Sequence, residues 1–150
     1  MPNPATAAKY VYRDAAPSHA HAYLLPTLME ELDRLPSNRK RIFDVGCGNG
    51  SVAGALASRG WEPVGVDPSE AGIAEARKAY PDLSLQIGSA YDDLADRYGN
   101  CPAVISLEVV EHLYSPRTYA KTLSSLLEPG GTAFVSTPYH GASPTVGEGR

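Results

Sequence analysis

Two groups of residues in this sequence have types and spacing suited to chemistry. The first is a run of alternating glycines, Gly46, Gly48 and Gly50, with Cys47 and Asn49 between them. Glycine has no Cβ and tolerates positive φ, so such a run turns sharply and lets a ligand lie against its backbone. Asp44 stands just before the run. Asp67 follows about twenty residues later, where a βαβ unit places an acid to accept hydrogen bonds from ribose hydroxyls. The second group is Glu108-x-x-Glu111-His112. Two carboxylates and an imidazole form a donor set for magnesium, manganese or zinc. His112 and His140 both follow predicted strands, and an imidazole there can take a proton from a hydroxyl.

These residues need elements to position them. Ile42, Phe43 and Val45 form a short apolar strand that runs straight into the glycine turn. Residues 51–59 read as a helix ended by Gly60. Its N-terminus directs free N–H groups at whatever the turn holds. Residues 62–66 are the next strand, closed by Asp67. Pro68-Ser69-Glu70 opens a helix, with Ser69 as its cap and Glu70 complementing the dipole. Ile73, Ala76 and Tyr80 supply that helix with a packing stripe. Ahead of the first strand, residues 18–35 read as a helix with Leu25, Leu28, Met29 and Leu32 on one face, and Pro26 predicts a kink or a late start. Residues 36–40 link it to the strand. Further on, 83–87 alternates as a strand, and Asp92 and Asp93 begin a short helix. Residues 103–107 are a fourth strand. Tyr119, Leu123, Leu126 and Leu127 form the buried face of a last helix, which Glu128-Pro129-Gly130-Gly131 stops before a fifth strand over 132–137. Five strands alternating with helices predict an α/β fold with a parallel, doubly wound sheet.

The spacing Asp44-x-Gly46-x-Gly48-x-Gly50 is not the G-x-G-x-x-G of dinucleotide-binding folds, because Ser51 stands where the third glycine would fall. It resembles motif I of the class I S-adenosylmethionine (SAM)-dependent methyltransferases, whose pattern is D/E-x-G-x-G-x-G. The "LEPGG" stretch before the fifth strand is similar to another mark of that family. The resemblance covers roughly 18–140 and is closest to small-molecule enzymes that include the ubiquinone-biosynthesis O-methyltransferases. It implies a Rossmann-like sheet of order 3-2-1-4-5. It implies that Asp44, Gly46, Cys47, Gly48 and Gly50 hold SAM, and that Asp67 and Pro68 lie at its ribose. By the same resemblance Ser89, Ala90 and Tyr91 line the adenine, and Leu107 and Glu108 pass under the methionine part. Cys47 serves as a small residue in the turn, not as a nucleophile. In the ubiquinone-type enzymes an E-x-x-E-H arrangement at this place is linked to a divalent metal, which would make Glu108, Glu111 and His112 ligands. An E-H pair also stands here in metal-independent relatives. The implied reaction moves a methyl group to a small-molecule acceptor, with oxygen favoured, and His112 or His140 as the proton acceptor. A helix before the first strand caps the cofactor pocket in that family, so Tyr10, Tyr12, Arg13, His19, His21 and Tyr23 are lid or acceptor-side candidates.

Two other functions fit parts of the pattern: a nicotinamide or flavin oxidoreductase, and a SAM-binding module without turnover. Composition narrows the field. The chain has 150 residues with 43% hydrophobic and 20% charged, enough for a folded core. A net charge of -4 and a pI near 5.5, without a basic run, argue against nucleic acid as partner. No stretch is apolar enough to span a membrane, and the start carries no secretory pattern. Cys47 and Cys101 lack metal or redox spacing and suggest a reducing, cytoplasmic setting. The expected organisation is an arm over 1–17, the SAM-binding domain over 18–140 and a tail over 141–150. Family members continue past the fifth strand with a helix and two antiparallel strands. Here Gly141, Pro144, Gly147 and Gly149 argue against another strand, so the chain reads as a fragment or as a natural minimal form. The fifth strand would then have a bare edge, which self-association into a homodimer would cover.

Overall fold

A computed structural model of the chain describes residues 19–138. It contains helix α1 (His19–Asp33), strand β1 (Arg41–Val45), α2 (Ser51–Ser58), β2 (Glu62–Asp67), α3 (Glu70–Ala79), β3 (Ser84–Ile87), α4 (Leu94–Tyr98) and β4 (Cys101–Leu107). A single 3-10 turn (Val110–His112), α5 (Pro116–Leu126) and β5 (Leu127–Ser136) complete it. All strand pairs are parallel, and the order is β3-β2-β1-β4-β5, as the family resemblance implied. The order reverses between β1 and β4. In open α/β sheets the crevice at that reversal, beyond the carboxyl ends of the strands, is where ligands bind.

Alternation along the central strands sends side chains into cores on both faces. Ile42 of β1 and Ala103, Ile105 and Leu107 of β4 pack with Leu28, Met29 and Leu32 of α1 and with Val52 and Leu56 of α2. Phe43, Val45 and Val104 point the other way and meet Leu94 of α4 and Tyr119, Leu123 and Leu126 of α5. A third cluster joins α2 to α3 through Ala53, Ile73 and Ala76, with Cys47 and Leu85. Every residue of β4 is buried, as a strand covered on both faces must be.

Pro26 lies inside α1, so of the kink and the late start that it allowed, the late start does not occur. One boundary differs from expectation. The Glu128-Pro129-Gly130-Gly131 stretch does not separate α5 from its strand. β5 already begins at Leu127, where Cys101 pairs with it, and the next pair is Ala103 with Thr132. Residues 128–131 bulge out of that ladder. Pro102 sits opposite the shift, and proline has no N–H to give a ladder. Leu127 is accordingly the cap of α5 and first residue of β5, half-buried against the α5 core.

The outer edge of β5 has no strand beside it among the described residues. Val135 there is 48% exposed. Ile105→Ala empties a site that is fully buried, and it should cost about 2–5 kcal/mol. Val135→Thr should stay within about 0.5 kcal/mol. Urea unfolding of the two variants checks the contrast.

Candidate active site

The glycine turn hangs on β2 as well as on β1. The N–H groups of Gly46 and Cys47 both donate to the Val66 carbonyl, at 2.8 and 2.9 Å. Gly48 N–H donates to Asp67 Oδ2 at 2.9 Å, and Ser69 N–H donates to Asp67 Oδ1 at 2.8 Å. One carboxylate therefore holds the turn after β1 and the turn after β2 together. Gly46, Gly48 and Gly50 have φ of 89°, 54° and 79°. A Cβ on Gly46 would lie 2.4 Å from Val109 Cγ2, so the loop after β4 is pressed against the turn at that point. Asn49 accepts from Ser51 N–H at 3.1 Å, and Gly50 caps α2 through its left-handed backbone. Ser69 caps α3 as expected, accepting from Gly72 N–H at 3.0 Å. Pro68 is exposed beside it.

Two acids are buried under this turn. Asp44 is 3% exposed, and its pKa is pushed up to about 8, first by burial and then by the charge of Asp67. Burial also raises Asp67, while the N–H groups of Ser69 and Gly48 pull it back. Burial, reinforced by both acids, raises the Cys47 thiol, which stays protonated and unreactive.

Beyond β3, Ser89 N–H donates to Asp92 Oδ2 at 2.8 Å, and Tyr91 N–H donates to Ser89 Oγ at 3.1 Å. Asp92 thus closes this loop, and α4 begins only at Leu94. Ala90 is buried in the α4–α5 core, while Ser89 and Tyr91 are half-buried.

Beyond β4, Leu107 is buried and Glu108 leaves the strand with φ 59°, the one positive φ of a residue other than glycine among the described residues. Such a conformation costs on the order of 1–3 kcal/mol and persists where the surroundings enforce it. Ser136, at the end of β5, supplies that enforcement. Its carbonyl and hydroxyl both accept from Glu108 N–H, at 3.1 and 3.2 Å, and its hydroxyl also lies 3.4 Å from Glu108 Oε1. Glu108 Oε2 is shut off from solvent without a hydrogen-bond partner among the described residues. Burial, followed by the Glu111 charge, raises the Glu108 pKa.

The metal expectation is not supported. Among the described residues no three His, Cys, Asp or Glu side chains stand together as an ion-binding group. The three residues in question are neighbours around the 3-10 turn, and the charges of Glu111 and His112 both act on Glu108. Glu108 is held to Ser136, whereas His112 is exposed at the end of the turn with Nε2 3.6 Å from Glu111 Oε1. His140, Tyr10, Tyr12 and Arg13 lie outside the described residues, as does the side chain of His19. His21 is half-buried, and burial lowers its pKa, while Tyr23 is 83% exposed on α1.

Sequence reading did not single out Val109, Ser136 or Ser106. Ser106 is fully buried and donates from Oγ to the Val45 carbonyl at 2.7 Å, joining the ends of β1 and β4. No local pattern marks any of the three, because each works through a partner on another element.

A family model described as "Methyltransferase domain" matches residues 16–145. The chain belongs to the class I SAM-dependent methyltransferase family. It is 35% identical over 108 residues to a ubiquinone biosynthesis O-methyltransferase from Caulobacter sp. (strain K31), covering 69% of this chain and 43% of that protein. The Cereibacter sphaeroides protein of the same name is 32% identical over 123 residues, covering 77% of this chain and 50% of the relative. The chain therefore spans about half the length of the curated relatives it matches. Among solved structures, the fold is shared with the SAM-bound amino pentose methyltransferase CalS10 from Micromonospora echinaspora, at TM-score 0.71 and 23% identity, covering 83% of this chain and 53% of that one. It is also shared with the PH0226 protein from Pyrococcus horikoshii OT3, at TM-score 0.67 and 25% identity, covering 79% and 54%.

The buried acids carry a pH consequence. The folded pKa of Asp44 lies above its unfolded value of 3.8, so the folded state holds a proton that the unfolded state has lost between that value and about 8. Its contribution to stability is present at low pH and falls as pH rises through this window, approaching about 1.4 kcal/mol per pH unit for one proton. Asp44→Asn should flatten the decline. Urea unfolding from pH 5 to 9 would refute this if wild type and variant kept parallel slopes.

Proposed function

We propose that this chain binds SAM along the 46–50 turn and moves its methyl group to a small-molecule acceptor, with oxygen the favoured atom. The observation that carries the reading is the joint between the glycine turn and Asp67, at the sheet's switch point and in a member of this family. The residues present suit the cofactor. Each Asp67 oxygen accepts one backbone N–H and keeps a lone pair for a ribose hydroxyl. Ser51 Oγ is buried just past the turn without a hydrogen-bond partner among the described residues. Asp44 lies beneath the turn as a latent negative charge that suits a cationic ligand. In this reading Ser89, Ala90 and Tyr91 flank the adenine, and Leu107 and Glu108 lie under the methionine part.

SAM supplies a methyl group bound to a positively charged sulfur. The chain's own part is to fix the acceptor in line with that methyl and to exclude water, which positioning largely accomplishes. His112 and His140 are the proposed proton acceptors for a hydroxyl. A divalent metal has no part in this proposal, since the described residues do not gather its ligands. No helix among the described residues is long and apolar enough to cross a membrane. Two free, buried cysteines accord with a reducing, cytoplasmic setting.

Gly48 has φ 54°, which a β-branched residue adopts only under strain. Gly48→Val should therefore abolish binding of S-adenosylhomocysteine in calorimetry and the rise in melting temperature that this ligand gives wild type. NADH should give wild type no such rise. Unchanged affinity in the variant would remove the ligand from this turn.

We also propose that the outer edge of β5 is covered by a second copy of the chain, because an exposed strand edge with an apolar residue invites pairing. Light scattering should report a dimer, with amides of 132–136 protected from exchange in a concentration-dependent way. A monomer with those amides slow at every concentration would contradict it.

A further inference from the structure

The loop after β4, residues 108–115, meets the ligand-facing loops at two points. Val109 is packed over Gly46, as the 2.4 Å approach to a hypothetical Cβ shows. The second contact is Tyr91, which follows β3. Ser115 N–H donates to the Tyr91 hydroxyl at 3.1 Å, and the Tyr91 and Tyr114 rings lie 4.9 Å apart at 51°. Tyr114 is otherwise a surface residue, 83% exposed. Ser115 is the N-cap of α5, yet its side chain makes no capping bond and instead pairs with Thr118 Oγ1 at 2.8 Å. Pro116 follows and has no N–H to offer. The start of α5 thus takes an anchor from the β3 loop, through one hydroxyl and one ring.

We propose that Tyr91 is a positioning residue that transmits occupancy of the cofactor loops to the acceptor-side loop after β4. This rests on the methyl-transfer reading above. Tyr91 stands on a loop already closed by the Ser89–Asp92 and Tyr91–Ser89 hydrogen bonds. A ligand lying against that loop restricts its remaining motion. The Tyr91 side chain then presents a fixed hydroxyl and ring to Ser115 and Tyr114, and the loop that carries Glu108, Glu111 and His112 orders with less entropy left to lose. Cofactor would in this way prepare the acceptor side before the acceptor arrives, and by reciprocity the acceptor would tighten cofactor binding.

The test is hydrogen exchange with S-adenosylhomocysteine at concentrations that saturate each protein, comparing wild type with Tyr91→Phe, which keeps the ring and loses the hydroxyl. In wild type the ligand should slow the amides of 89–91 and also those of 113–115, the latter by about fivefold or more. In Tyr91→Phe protection at 89–91 should remain while that at 113–115 drops by at least half. A purely structural role would speed exchange at 113–115 with and without ligand alike, and would leave the ligand-induced ratio unchanged. That result overturns the proposal, as does a wild type whose 113–115 amides ignore the ligand. Should Tyr91→Phe not fold, Tyr114→Ala removes the other half of the contact from the surface and is read the same way. If the ligand protects neither loop in wild type, the methyl-transfer reading fails first, and this proposal with it.

Discussion

The carboxylate of Asp67 stands where β2 ends and two turns meet. One oxygen accepts from the turn that follows β1, the other from the turn that opens α3. Together with the Val66 carbonyl, which accepts from Gly46 and Cys47, it fixes the glycine turn against a neighbouring strand as well as its own. Hydrogen bonds to a charged acceptor are the stronger kind, roughly 1.5–3 kcal/mol each, and burial keeps water from competing. Held from the side by β2 and braced by the Asn49 side chain, the turn keeps three residues at positive φ.

Holding the turn with buried acids has an electrostatic consequence. Burial raises both Asp44 and Asp67, and the charge of Asp67 adds to the cost of charging Asp44. Net negative charge beneath the turn is therefore incomplete near neutral pH. Charge there becomes more favourable when a cation is near. The same logic recurs at the end of β4. There Glu108 is kept in a strained conformation by Ser136, with one oxygen out of water. In both places a polar group is held by a neighbouring strand end, and both lie on the carboxyl side of the sheet.

The sheet's order explains why these places adjoin. β1 and β4 are neighbours although β2 and β3 intervene in the chain. Ser106 joins their ends through its bond to Val45 O. That adjacency brings the loop after β4 over the glycine turn, with Val109 on Gly46. The matched region covers only about half the length of the curated relatives.

Much of the architecture was legible from local patterns. The apolar runs, the glycine turn, Ser69 as a cap and the helical stripes each rest on contacts within a few residues, so periodicity and capping rules reach them. The motif spacing likewise located Asp67. Its residue type alone showed an acceptor; that both its oxygens would hold backbone N–H groups depends on β1 and β2 lying side by side. The start of β5 was misjudged because Pro and Gly signal a turn locally, whereas the bulge exists only through pairing with β4 across Pro102. The E-x-x-E-H stretch was read as a ligand set because the residue types are right. Among the described residues they do not gather into an ion-binding group, and Ser136 engages Glu108, a contact that the motif does not encode. The chain by itself determined which elements form and which residues can bear charge or turn sharply, because those are properties of neighbours in sequence. Which polar groups meet, and which are left buried and strained, was decided by packing between strands distant in sequence, because hydrogen-bond partners and desolvation exist only once those strands are side by side.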